Sequence, residues 1–86
     1  MPRISQFYGI AVYMYYRDHA PPHFHAIYGD DEAVIDIGSG AVLDGNLSRR
    51  ALALVSVWVA AHHQELQDNW QLARAGRPLN PIPPLD

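Results

Sequence analysis

The sequence predicts an α+β fold, an antiparallel sheet of three or four strands over about residues 8–43 packed against C-terminal helices over about 47–75. Three observations carry that expectation. Charge-poor runs rich in β-branched and aromatic residues fill the first half, and the apolar spacing turns to threes and fours after Gly45-Asn46. At 86 residues the chain is read as one domain, 1–86, because a chain this short supports a single core.

Ile10-Ala11-Val12-Tyr13-Met14-Tyr15-Tyr16 is uncharged and aromatic, as a strand covered on both faces would be, and is read as the central strand. Asp18-His19-Ala20-Pro21-Pro22 is a loop, since adjacent prolines donate no ladder hydrogen bonds. Phe24 to Tyr28 reads as the second strand, followed by turn chemistry at Gly29-Asp30-Asp31. In the third strand Ala33, Ile35 and Ile37 share one face and Glu32, Val34 and Asp36 the other. Gly38-Ser39-Gly40 turns again, and Ala41-Val42-Leu43 is read as a short edge strand.

Leu47, Ala51, Leu54, Val55, Trp58 and His62 form a helical stripe facing the sheet, and Leu52, Val57 and Val59 widen it enough to call for cover on a second side. His62-His63-Gln64-Glu65 is read as a break, one kinked helix being the alternative. Leu66, Trp70 and Ala73 then define a second amphipathic segment ended by Gly76 and Pro78. In the extended proline-rich tail, residues 77–86, a three-residue turn would align Leu79, Ile82 and Leu85 for docking on the core or on a partner.

The apolar fraction of 49% is that of a globular chain, while the charged fraction of 17% is low for a monomer and leaves surface for a protein partner or a second copy. Without cysteine there is neither a disulfide framework nor a thiolate zinc site. The start, Met1-Pro2-Arg3-Ile4-Ser5-Gln6, lacks the apolar segment of a signal peptide, and the run from Ala51 to Ala61 is too short to span a bilayer. A cytoplasmic protein with no membrane contact is expected. The net charge of -3 disfavours broad binding to RNA or DNA, although all six basic residues are arginines, whose fork suits carboxylate or phosphate.

Four segments, Ile4-Ser5-Gln6-Phe7-Tyr8-Gly9-Ile10, Asp18-His19-Ala20-Pro21-Pro22-His23-Phe24-His25, Ala33-Val34-Ile35-Asp36-Ile37, and Asn69-Trp70 with Ala75-Gly76-Arg77-Pro78-Leu79, resemble the bacterial and archaeal domain-of-unknown-function 4160 family. The resemblance covers essentially the whole chain. It implies one half of a small two-gene module of toxin–antitoxin type, often beside a domain-of-unknown-function 2442 protein, and it supplies no catalytic residue, substrate or mechanism.

Residue chemistry concentrates in His19, His23 and His25, with Asp18 and Tyr15 or Tyr28 nearby. On a strand, His23 and His25 emerge on one face, and His19 can approach from the loop. Three neutral imidazoles with an open position suit zinc or another divalent metal, and two histidines suit metal-free acid–base cleavage of RNA. The same rings can instead bond loop carbonyls or pair with Asp36 across the sheet, which needs neither activity nor cofactor. Asp18 is a candidate binding residue, though Asp before a proline turn more often closes an Asx turn. Arg49-Arg50, in the first helical turn where the macrodipole disfavours cations, and Arg17 are candidates for an anion, a partner carboxylate or RNA phosphate, against two solvated side chains. His62 and His63 are read as a structural break, Trp58 and Trp70 as core anchors, and the five tyrosines as interface or core.

The leading functional expectation is a component of a toxin–antitoxin-like pair that acts through a specific protein contact with the product of a neighbouring gene. The alternatives are a small ribonuclease or metal-dependent hydrolase using the His19/His23/His25 loop, and a DNA-binding transcriptional regulator. The last suffers from the negative charge and the lack of a recognition-helix pattern.

Overall fold

The sheet begins earlier in the chain and holds more strands than the sequence pattern indicates. The computed structural model describes residues 2–86. Its five strands, β1 (Arg3–Phe7), β2 (Ile10–Tyr13), β3 (His23–Tyr28), β4 (Asp31–Asp36) and β5 (Val42–Gly45), pair antiparallel in chain order. Helices α1 (Arg49–Ala61) and α2 (His63–Arg74) follow, so the architecture is α+β with five strands rather than three or four.

The additional strand is β1, in which Ser5 and Gln6 interrupt the apolar pattern although Ile4 and Phe7 are buried. Tyr8 and Gly9, with φ of 50° and 80°, form a two-residue hairpin that pairs Phe7 with Ile10. That hairpin moves the centre of the sheet. β2 ends at Tyr13 instead of running to Tyr16, and β3 is the central strand. β2 buries one face and leaves Ala11 and Tyr13 half-buried on the other.

Two-residue period and burial agree in the central strands. Ile10, Val12, Phe24, Ala26, Ala33 and Ile35 point into the core, where Leu47, Ala51, Val55, Trp58 and Val59 of the α1 segment and Leu66, Trp70 and Ala73 of α2 meet them. Val59 is covered as the widened stripe requires, whereas Val57 is 59% exposed. Ser48 caps α1 by accepting a hydrogen bond at Oγ from the Ala51 amide. The chain breaks at His62, whose φ of -124° ends α1 while its amide donates to the carbonyls of Trp58 and Val59.

Residues 77–86 form no helix or strand but pack in cis, with Ile82 buried and Leu79 and Leu85 half-buried against the core. The Ile82 amide donates to the Ile4 carbonyl at 2.8 Å, which ties this segment to β1. Among the described residues no helix is long and apolar enough to cross a membrane.

Candidate functional site

The segment between β2 and β3 is held at three places. The Arg17 amide, at a φ of 54°, donates to the Ala73 carbonyl at 3.1 Å and anchors the loop to the end of α2. The Ile37 amide donates to the Pro22 carbonyl at 2.9 Å, extending the β3–β4 pairing past the last ladder residue. Asp18 Oδ1 accepts from the His19 amide at 2.9 Å. These contacts present Asp18 to the start of β3, where alternation puts His23 and His25 on the sheet face away from most of the core.

Each histidine is anchored through Nδ1. His23 Nδ1 lies 2.6 Å from the Pro21 carbonyl oxygen, which only accepts, so Nδ1 carries a proton and donates it. His25 Nδ1 donates to Glu32 Oε2 at 2.9 Å. Both Nε2 atoms consequently face Asp18, at 2.9 Å from Oδ2 for His23 and 3.8 Å for His25. The rings stand 5.5 Å apart, the His23 ring packs 5.1 Å from that of Trp70, and the Tyr15 ring meets His25 at 4.3 Å.

The side chains of Asp18, His23 and His25 are 19, 8 and 14% exposed. Burial is the largest single influence on Asp18 and raises its pKa, but hydrogen bonds from the His23 ring and the His19 amide, with the charges of both imidazoles, bring it below its ordinary value. His23 thus has a polar partner at each ring nitrogen. His25 is different: its Nε2 is buried and has no hydrogen-bond partner. Burial, followed by the charges of Glu32, Tyr13 and Asp18, raises the Tyr15 pKa and keeps its phenol protonated.

The Asp18 shift has a measurable consequence. Because its folded pKa lies below its unfolded one, the stabilisation is complete above the unfolded value and is lost as pH falls through the folded value. Denaturant melts between about pH 5 and pH 2 should show a shallower acid loss in Asp18→Asn than in the native chain. Equal slopes would remove Asp18 from the acid response.

Structure gathers some of the residues picked from the sequence and disperses others. His23 and His25 join Asp18, and one ligand atom from each lies within 4.8 Å of the others. Asp18 Oδ1 accepts from the next residue's amide rather than from the one two residues on that an Asx turn uses, while Oδ2 faces the imidazoles. The His19 side chain is 94% exposed and stands outside the cluster, with Nδ1 3.2 Å from Asp18 Oδ1. Although Asp36 is the register partner of His23, its Oδ2 accepts from Ser39 rather than from the ring.

Arg17 lies at the C-terminal end of α2, where a Cβ on Gly76 would stand 2.8 Å from its Nη2. Arg49 and Arg50 sit in the first turn of α1, and Arg50 lines a cavity of about 140 Å³ with Tyr8, Tyr28 and Ser48. The rings of His23 and His25 bond to Pro21, Asp18 and Glu32 and not to these arginines. Glu32 also belongs to the site, although no motif in the sequence marks it. Its place follows from pairing of Tyr28 with Asp31 across the Gly29-Asp30 turn, which sets Glu32 diagonally across from His25.

A family model, Domain of unknown function (DUF4160), matches residues 9–71, a span that includes Asp18, His23, His25 and Glu32. No curated protein and no solved structure matches the chain. With most of its length matched by that model, the chain belongs to the DUF4160 family.

Proposed function

We propose that the protein is a small hydrolase of a two-gene, toxin–antitoxin-like module, with Asp18, His23 and His25 as its reaction centre and phosphodiester bonds of RNA as its substrate class. One observation carries this reading: two histidines, each anchored at Nδ1, turn Nε2 toward one carboxylate. Structural histidines satisfy both ring nitrogens, whereas His25 Nε2 is left buried and unpartnered. Such unmet groups are retained where chemistry uses them.

Bacterial growth after induction of this chain alone, beside a His23→Ala/His25→Ala variant shown folded by circular dichroism, tests the proposal. Growth arrest and RNA breakdown with the native chain, and neither with the variant, are expected. A soluble, folded native chain that leaves growth and RNA intact overturns it.

The second reading, action through a protein partner, draws on the sheet edges. All four residues of β5 are exposed, Val42 and Leu43 among them, whereas the Ile82 amide covers part of the β1 edge. An open edge strand accepts a partner's strand by main-chain pairing. The product of the neighbouring gene should co-purify with the native chain and much less with Val42→Lys/Leu43→Lys. Equal capture by both would set β5 aside.

A further inference from the structure

We infer that Asp18, His23 and His25 bind a single divalent first-row metal ion, zinc foremost, through Oδ2 of the aspartate and Nε2 of each histidine. This ion would be the cofactor of the proposed reaction centre. The ion's part in hydrolysis rests on that reading, while its binding is measured without turnover.

Metal-bound histidines characteristically donate their other ring N–H to a backbone carbonyl or a carboxylate, which fixes the tautomer and aims the ligating nitrogen. His23 does the first, to Pro21 at 2.6 Å, and His25 does the second, to Glu32 at 2.9 Å. Nothing about the packing of two unrelated structural histidines requires both arrangements within two residues of one strand.

Spacing agrees with that orientation. Tetrahedral zinc with bonds of about 2.1 Å sets its ligand atoms about 3.4 Å apart. Asp18 Oδ2 stands 2.9 Å from His23 Nε2 and 3.8 Å from His25 Nε2, values that straddle this edge length. An ion between them would take over the position of the proton shared by Asp18 and His23.

His25 Nε2 separates metal binding from metal-free acid–base catalysis. It is too buried to meet a substrate proton directly, and no protein group satisfies it. A coordinated ion fills that need from within the cluster. Two imidazoles and one carboxylate form a donor set for zinc and its neighbours, while calcium and magnesium prefer oxygen ligands and copper(I) sulfur. Three protein ligands leave a position for water, whose pKa such an ion lowers. His19 remains outside the set, on the exposed side.

The test uses the untagged full chain, stripped with a chelator and titrated with zinc chloride, with metal content read by mass spectrometry and affinity by calorimetry. One zinc per chain is expected, with tetrahedral d–d absorption bands when cobalt(II) replaces zinc. His25→Ala should weaken binding by more than about 100-fold and Glu32→Gln by about 10- to 100-fold, while His19→Ala leaves it unchanged. Circular dichroism of each metal-free variant separates lost ligands from lost fold, and Glu32→Gln, altered outside the ligand set, keeps the test open should an alanine variant unfold. Failure to bind zinc or cobalt stoichiometrically, or binding that Glu32→Gln and a folded His25→Ala leave intact, overturns the assignment. Zinc binding without RNA cleavage would uphold the metal site and reject the hydrolase reading, and cleavage by zinc-free protein would do the reverse.

Discussion

Replacing Trp58 with alanine should lower the melting temperature by about 15 °C or more, the largest stability effect expected from any single side chain here. Trp58 is fully buried, with its ring 5.2 Å from Phe7 and 5.8 Å from Phe24, so it joins α1 to both the outer strand and the central strand. Its Nε1 also donates to the Pro83 carbonyl at 2.9 Å. Truncating a buried Trp costs about 3–5 kcal/mol through lost transfer energy and the cavity left behind. That is a large share of the 5–15 kcal/mol, roughly, that holds an ordinary domain together. Trp58→Phe keeps most ring contact and loses the indole donor, so thermal melts should place it between the two. A melting temperature for Trp58→Ala within about 5 °C of native would mean that the core collapses around the gap far better than this packing allows.

Asn69→Ala should cost about 2 kcal/mol and free the C-terminal segment from its dock. Asn69 is 1% exposed, and its side chain acts as a two-way clamp, with Nδ2 donating to the Asn80 carbonyl at 2.8 Å and Oδ1 accepting from the Asn80 amide at 2.9 Å. Loss of the clamp leaves both Asn80 groups to water and loosens Ile82, the buried anchor two residues on. Limited proteolysis should then cleave after Leu79 or Leu85 far sooner than in the native chain, while amide exchange in β3 stays slow. Because Trp58 grips the same segment at Pro83, the effects of Trp58→Phe and Asn69→Ala should be non-additive. Simple addition would mean that the two anchors act independently.

Much of this packing is legible in the residues. The stripe Leu47, Ala51, Val55 and Trp58 is buried, the break falls at His62, and Leu66, Trp70 and Ala73 line the second helix. Even the three-residue spacing of Leu79, Ile82 and Leu85 marks the side of the tail that meets the core. What escaped was β1, because Ser5 and Gln6 break its alternation and a bulge between Arg3 and Ser5 shifts its register. Without that strand, β2 looks central and overlong.

The site was legible to the same degree. Alternation along β3 is enough to put His23 and His25 on one face, but choosing between His19 and Asp18 as the third member depends on the path of the proline loop. A left-handed Arg17 bonded to α2 sets that path, and no local pattern announces it. Glu32 was within reach. Gly29, with a φ of 62°, supports a two-residue turn, and the pairing of Tyr28 with Asp31 then places Glu32 beside His25. Longer-range contacts, such as Trp70 against His23, lie beyond what spacing alone conveys.

The convergence of two Nε2 atoms on Asp18 is most directly tested by nitrogen-15 NMR of the imidazole rings in the metal-free protein at neutral pH. The structure predicts that His25 carries its proton on Nδ1, bonded to Glu32, and that Nε2 is bare. Glu32→Gln should then perturb the His25 ring signals while leaving those of His23 in place. A proton on His25 Nε2 with Nδ1 bare would contradict the account, because Nδ1 could then not donate to Glu32 and nothing would aim Nε2 at Asp18 as a metal ligand.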